Sequence, residues 1–197
     1  ALSWAVGVIL FKKSGDSYSP LSLNIFKNMV GIILFLPTVY LVGETLVPDQ
    51  PIRAWILLSI SGLIGITIAD TLFFMSLERL GAGLTAVVET AYTPVMLFLS
   101  WWFLGDPIGS SIIFGGTLIV AALIIGSYTK PAPGMSRKDI VVGSIFGISG
   151  IILMGFSIVM IKEILNDAPH IWATLVRTLA AQIGLLVVFL FRRNRER

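Results

Sequence analysis

Four ionisable side chains stand inside otherwise apolar stretches of the sequence: Lys27, Asp70, Glu89 and Arg177. An ionisable group within a membrane-spanning segment is energetically costly, and it usually faces protein or a water-filled cavity. Two carboxylates beside two cations would suit a zwitterionic or otherwise polar metabolite. Glu89 is the sharpest candidate for binding substrate or carrying a proton, because no lysine or arginine lies within four residues of it.

Each of these residues belongs to a polar stripe on a predicted helix. Side chains at i, i+3 and i+4 share one helix face, and by this spacing Tyr92 and Thr93 join Glu89 while Asn28 joins Lys27. The stripes could converge on a central cavity. The predicted substrate-binding or proton-carrying residues are therefore Glu89, Asp70, Lys27, Arg177, Tyr92, Thr93 and Asn28.

A structural role competes with a functional one for several of these side chains. Lys27 and Arg177 lie only about two turns inside their helices and could extend their charges to the membrane surface. Asp70 could be a structural partner of Lys27. Tyr92 could be an ordinary packing aromatic, although it shares the predicted face of Glu89.

The composition is typical of a membrane protein. Of the 197 residues, 56% are hydrophobic and 13% are charged, whereas a soluble domain carries about 25% charged residues. The absence of cysteine excludes disulfides and thiol chemistry. The net charge of +3 is too small and too scattered to indicate a nucleic-acid partner. The sequence has no phosphate loop and no metal-ligand cluster, so we expect no cofactor and no metal.

Apolar stretches long enough to cross a bilayer recur with short polar breaks, and Gly81 separates the third from the fourth. The first stretch covers only about 20 Å of a membrane core of roughly 30 Å, so we expect further residues upstream of Ala1. The sequence predicts an all-α polytopic membrane protein with helices at about residues 1–13, 20–43, 54–79, 82–104, 108–128, 139–162 and 169–191.

Two local motifs have a bearing on function. Pro94 cannot donate to the carbonyl of Thr90 and should kink its helix, either for packing or as a gating bend beside the site.

The sequence GISG at 147–150 has the form found in intramembrane serine proteases, and His170 is the only histidine. The helix after Ser149 would hold the two residues about 20 Å apart, whereas a nucleophile and its base need about 3 Å. We therefore expect no enzymatic activity.

The lysines and arginines are distributed unevenly between the two membrane sides. Only Arg53 and Lys162 fall on the side that holds the start of the first helix. The positive-inside rule places the richer side in the cytoplasm and the start of the first helix outside. The residues of the richer side are Lys12, Lys13, Arg79, Lys130, Arg137, Lys138, Arg192, Arg193, Arg195 and Arg197.

A two-helix pattern recurs after five helices. At an offset of 150 residues, Lys12 matches Lys162 and Lys27 matches Arg177. An odd number of spans makes the second copy enter the membrane inverted, as in the repeats of secondary transporters. We predict a first five-helix repeat at 1–128, a linker at 129–138 and the start of a second repeat at 139–197, with about three further helices expected beyond it.

The run FFMSLERLGAGLTAVVETAYTPVMLFLSWWFLGDPI is similar to the helix 3–4 signature of the EamA-type family in the drug/metabolite transporter superfamily. The shared features are a small-residue turn, a mid-membrane proline and a final Gly followed by an acidic residue. The resemblance implies ten helices in two inverted repeats that move small metabolites. The chain departs from the family pattern at Asp106, where Glu is typical, and at Lys27, where Arg is usual. Family members also usually start in the cytoplasm.

The sequence therefore predicts an integral membrane carrier that exports small polar metabolites, amino-acid-like or related, by alternating access. Its partners would be the solute and the lipid bilayer, with a homodimer as a further expectation and the prokaryotic cytoplasmic membrane as its location. The alternative is a membrane assembly subunit without transport activity. A channel is a third hypothesis, and its flux would neither saturate nor counter-exchange.

Overall fold

The computed structural model describes residues 2–107, 109–127 and 135–195, and within these ranges every regular element is helical. The predicted all-α fold is therefore confirmed. The elements are α1 (Leu2–Gly15), α2 (Pro20–Leu41), α3 (Ile52–Gly62), a π-helical segment (Leu63–Ile68), α4 (Ala69–Glu89), α5 (Tyr92–Leu104), α6 (Ser110–Ser127), α7 (Arg137–Val159), α8 (Lys162–Asp167) and α9 (His170–Arg195).

Local sequence signals determine several helix ends. α2 begins with Pro20, and the Ser19 side chain accepts a hydrogen bond from the Ser22 backbone N–H at 3.3 Å. α7 begins with a reciprocal capping box between Ser136 and Asp139. α5 ends at Gly105, whose φ of +70° is the left-handed conformation that favours glycine after a helix.

Five of the predicted helices correspond to α1, α2, α6, α7 and α9, each within a few residues of its observed ends. The predicted helix 54–79 comprises α3, the π-helical segment and the first part of α4. The predicted helix 82–104 comprises the end of α4 together with α5. The predicted linker 129–138 falls largely on residues outside the described ranges, and the division into two repeats stays a prediction.

The helices have the length and surface of membrane spans. The described part holds four helical stretches long and apolar enough to cross a membrane, Pro20–Leu41, Ile52–Glu89, Arg137–Val159 and His170–Arg192, and two shorter apolar helices. Large apolar side chains such as Ile33 are exposed along them. Such a surface belongs against lipid rather than water. The chain is a multi-pass membrane protein.

The stretch Ile52–Glu89 folds back on itself at Gly81. This residue has φ +72° and ψ 169°, a conformation that ends a helix and favours glycine. A Cβ added at Gly147 of α7 would lie 2.9 Å from Ser76 Oγ and 2.7 Å from Val88 Cγ1. In one continuous helix Ser76 and Val88 would be about 18 Å apart. The two halves of α4 therefore form a helical hairpin that packs on α7.

The face of α7 that meets this hairpin consists of small residues. A Cβ at Gly143 would lie 2.7 Å from Leu80 Cγ, and one at Gly150 would lie 3.0 Å from the Ala69 carbonyl oxygen. Small residues let membrane helices approach closely, and close van der Waals packing then holds them together. The glycines thus set the spacing between α4 and α7.

The packing of α9 against α3 and the π-helical segment also depends on glycine. A Cβ at Gly62 would lie 2.1 Å from the Arg177 carbonyl oxygen, so no larger residue fits there without moving a backbone. Near the start of α9, Trp172 is fully buried and packs edge-on against Trp55, with ring centroids 4.8 Å apart. Both rings belong to an apolar core that also contains Leu58 of α3 and Ile161.

Hydrogen bonds to neighbouring helices hold the π-helical segment. Asn24 of α2 donates through Nδ2 to the Ile66 carbonyl oxygen at 2.8 Å. On another face, the Thr67 hydroxyl donates to the Ala181 carbonyl oxygen at 3.0 Å. Irregular helical backbone is tolerated within a membrane where neighbouring groups satisfy it. The segment ends two residues before Asp70, so its wider winding sets the direction in which Asp70 points.

A carboxylate from the α2–α3 loop caps α9. Glu44 accepts hydrogen bonds from the backbone N–H groups of Ile171 at 3.3 Å and Trp172 at 2.7 Å. These N–H groups belong to the first turn, where no intrahelical acceptor exists and the helix dipole favours negative charge. The contact fixes the start of α9 at the membrane side where α2 ends.

Ion pairs join the helix ends on each side of the bundle. Lys162, at the start of α8, pairs with Asp106 after α5 at 2.9 Å, and Arg79 pairs with Asp139 at 3.7 Å. Hydrogen bonds from Lys162 and Ser100 hold the pKa of Asp106 below its ordinary value. The stabilisation from this carboxylate is therefore present above its unfolded pKa and is lost as the pH falls through the lowered folded value.

Replacing Gly147 by alanine should destabilise the protein by about 1–3 kcal/mol, because the new methyl group overpacks the contact with Ser76 and Val88. Thermal unfolding in detergent measures this. The matched control is Gly7→Ala in α1, where a Cβ meets nothing within 4 Å and no loss is expected. Equal melting temperatures for Gly147→Ala and the parent would contradict the close packing of α7 on the α4 hairpin.

Replacing Glu44 by glutamine should destabilise the protein by about 1 kcal/mol, since the charge at the start of α9 is lost while the side chain keeps its shape. The same unfolding assay applies, with Asp49→Asn as control because Asp49 is an exposed carboxylate of the same loop. If both substitutions shift the midpoint equally, the capping role of Glu44 is wrong.

Candidate functional site

A cavity of about 580 Å³ lies within the bundle, with walls from α1, α2, α4, α5 and α7. Its polar lining includes four of the predicted site residues, and its remaining lining is mainly aromatic and aliphatic. The lining residues are Trp4, Phe11, Lys27, Ala69, Asp70, Phe73, Phe74, Thr85, Ala86, Val88, Glu89, Thr90, Tyr92, Gly147, Gly150, Ile151 and Met154.

Lys27 and Asp70 form an ion pair across the cavity wall between α2 and α4. The side chain of Lys27 is 31% exposed and that of Asp70 is 13% exposed, so both are largely withdrawn from the surroundings. The Lys27 ammonium also lies 5.8 Å from the centroid of the Phe74 ring. Each charge thus has a partner of opposite sign within the protein.

Glu89 has different surroundings. The Trp4 indole Nε1–H donates to Glu89 Oε2 at 3.0 Å. Within the described ranges, no lysine, arginine or histidine nitrogen lies within 4.0 Å of its carboxylate oxygens. The nearby Thr85 hydroxyl is buried, and no hydrogen-bond partner for it occurs among the described residues. The cavity therefore presents a partly buried carboxylate whose only described partner is a neutral donor.

The three ionisable cavity residues lie at similar depth. The start of α2 and the turn of α4 are at the same end of the bundle, since both line one small pocket there. Counted from these points at about 1.5 Å per residue, Lys27 lies about 10 Å deep, Asp70 about 16 Å and Glu89 about 12 Å. The midplane of a bilayer core is about 15 Å from its edge, so a bilayer with its edge at these points would place all three near its midplane.

Aromatic rings form a continuous wall of the cavity. The centroids of Trp4 and Phe73 are 5.9 Å apart, those of Phe73 and Phe74 are 5.4 Å apart, and those of Phe11 and Phe74 are 5.1 Å apart. Tyr92 lines the same cavity from α5. The wall places several ring faces and edges between the Lys27 side and the Glu89 side of the cavity.

Three predicted site residues lie outside the cavity lining. Asn28 is buried, and its Nδ2 donates to the Asn24 carbonyl oxygen at 3.0 Å. Arg177 extends from α9 towards α7, where it donates to Ser157 Oγ at 3.4 Å. Thr93 is exposed. The predicted stripe assumed one helix through Glu89 and Thr93, whereas the helix is interrupted between them.

This interruption lies next to Pro94. α4 ends at Glu89 and α5 begins at Tyr92, and the N–H groups of Thr90 and Ala91 donate three residues back at 3.1 and 3.0 Å. Pro94 occupies the first turn of α5, where its missing N–H costs least. The α-helical hydrogen-bond pattern is therefore interrupted directly after Glu89.

Several cavity residues escaped the sequence analysis. Trp4, Phe73 and Met154 are apolar side chains in apolar helices, and nothing in one sequence separates such a residue from one that faces lipid. A weak signal existed for Trp4, because its indole N–H needs an acceptor wherever it is buried.

Among the described residues, no three His, Asp or Glu side chains form a group that could hold a metal ion. The cavity residues offer electrostatic binding, hydrogen bonding and aromatic contact.

Comparisons with known proteins agree with the resemblance that the sequence suggested. The model of the EamA-like transporter family matches residues 1–128, which is more than half of the chain and contains α1 to α6. No curated protein and no solved structure gives a significant match. The matched residues include Trp4, Lys27, Asp70, Glu89 and Tyr92 of the cavity. The chain belongs to the EamA-like transporter family.

Proposed function

We propose that the protein is a carrier that moves small polar solutes, amino-acid-like or related, out across the cell membrane by alternating access. The observation that carries the proposal is the cavity with Lys27, Asp70 and Glu89 near the middle of the membrane. A structural protein gains nothing from an uncompensated carboxylate at that depth, because burying it is costly. Secondary transporters bind their substrates near the midplane between helical units.

The difference in packing around the cavity supports a proposal in which one of its walls moves. Close glycine contacts hold α7 against the α4 hairpin, and others hold α9 against α3 and the π-helical segment, so these elements form the rigid part of the bundle. α1 contributes Trp4 and Phe11 to the cavity and has far fewer neighbours. The turn at Gly81 and the interruption at Thr90–Ala91 offer places where backbone angles can change. In this proposal, small rotations there open the cavity alternately to the two sides.

The first test removes the charge of each cavity carboxylate. Glu89→Gln and Asp70→Asn should each lower solute flux in proteoliposomes at least tenfold, because the first removes a charged contact of the solute and the second leaves Lys27 without its partner in the cavity. The solute is chosen from a panel of amino acids and amines by its ability to stabilise the parent protein. Glu163→Gln, on the exposed surface of α8, should keep the parent rate.

Unchanged helicity and gel-filtration behaviour would show that the variants are folded. Normal flux in both carboxylate variants would remove the proposed site. Flux that does not saturate and shows no counter-exchange would favour a channel instead.

A second test separates a structural from a functional role of the Lys27–Asp70 pair. The double substitution Lys27→Met/Asp70→Leu replaces the pair by apolar side chains, which a folded protein tolerates better than the loss of one partner. We expect its melting temperature to exceed that of Lys27→Met while its flux stays at least tenfold below the parent. Parent-like flux in the folded double variant would assign the pair to structure alone.

A further inference from the structure

The charges around the cavity are unevenly placed. Among the described residues, its lining contains one cation, Lys27, and two carboxylates, Asp70 and Glu89. Lys27 is already paired with Asp70. Arg177 is outside the lining; it donates to Ser157 and is near enough to Asp70 and Tyr92 to interact with them electrostatically. Both cations therefore act at the Asp70 side of the cavity, while the carboxylate of Glu89 has no ion-pair partner among the described residues.

The surroundings of this charge are aromatic. Trp4 donates to one oxygen of Glu89, and its ring leads through Phe73 to Phe74 in the aromatic wall. A carboxylate can accept about four hydrogen bonds, so most of its capacity remains after the indole bond. Aromatic faces attract cations through the ring quadrupole, and quaternary ammonium ligands are commonly held in this way.

We infer that the solute is an organic cation, a protonated amine or a quaternary ammonium with an apolar body, whose positive group binds Glu89 beside Trp4. The apolar body would lie along the aromatic wall and the aliphatic residues Ile151 and Met154 of α7. This inference rests on the proposed carrier function and narrows its substrate class. The cavity of about 580 Å³ has the size of pockets that hold small organic molecules.

The same charges disfavour the other classes of polar metabolite. A zwitterion would bring a carboxylate into the cavity, and Lys27, the cation of the described lining, is already paired with Asp70. An anion would in addition meet the negative charge of Glu89. Binding of either class requires the Lys27–Asp70 pair to open, whereas an amine leaves that pair intact.

The experiment compares three probes with the same phenyl body: phenethylamine, phenylalanine and 3-phenylpropionate. Equilibrium binding to the purified full-length protein in detergent is measured by isothermal titration calorimetry. We expect phenethylamine to bind at least tenfold more tightly than the other two. Glu89→Gln should weaken its binding at least tenfold, Glu89→Asp should retain part of it, and the control Glu163→Gln should leave it unchanged.

Each outcome supports or overturns the inference. It is overturned if phenylalanine or 3-phenylpropionate binds as tightly as the amine, if none of the probes binds with a dissociation constant of about 1 mM or tighter, or if Glu89→Gln binds like the parent. The retained binding of Glu89→Asp separates a lost contact from a folding defect.

The carrier function is judged by a separate measurement. Flux in proteoliposomes of a solute other than an amine, lost in Glu89→Gln, would keep the carrier and reject the cationic substrate. Amine binding at Glu89 without flux of any probe would keep the binding site and reject the carrier.

Discussion

Inside a bilayer no polar group can rely on water, and this constraint determines both the fold and the site. Most polar side chains in the described part of the bundle satisfy it through a protein partner. Asn24 binds the irregular backbone at Ile66, the Ser61 hydroxyl donates to the Ser157 carbonyl oxygen at 2.7 Å, and Lys27 is matched by Asp70. Glu89 satisfies it incompletely, since a single neutral donor faces its charge, and a few buried atoms such as Thr85 Oγ1 and Trp172 Nε1 have no described partner. At Glu89, the proposed solute would add the missing partner.

The same constraint connects packing with binding. Helices in lipid gain little from hydrophobic association, so they depend on close contact, and the glycines of α7 and α3 provide it. Close contact along α4 and α7 leaves the space for a solute on the α1 side of Gly147 and Gly150, both of which line the cavity. A rigid wall and a lightly packed wall thus arise from one distribution of small residues. The π-helical segment directly precedes the first turn of α4, from which Asp70 enters the same cavity as Glu89.

The residues of the candidate site that could be predicted are of types that are rare in apolar helices. Lys27, Asp70, Glu89 and Tyr92 were found because polar groups in apolar helices are few, and the turn at Gly81 was found because glycine interrupts two long apolar runs. Thr93 was placed on the Glu89 face by helical periodicity, which does not extend across the break before Pro94. Trp4 and Phe73 were missed because an aromatic ring that faces a cavity has the same sequence signature as one that faces lipid. The π-helical segment is bound by Asn24 of another helix. The sequence of the segment alone does not indicate this contact.

The contact between Glu44 and the start of α9 also bears on how the chain reaches its final orientation in the membrane. The two partners are 127 and 128 residues apart in sequence, so α9 is synthesised long after the α2–α3 loop has taken its side. Only one direction of insertion brings the first turn of α9 to the membrane side on which Glu44 lies. A copy inserted the other way leaves the carboxylate and the helix start unsatisfied at opposite membrane surfaces. The Glu44 contact therefore makes a correctly inserted chain more stable than a wrongly inserted one. This difference does not depend on the positive charges in the loops.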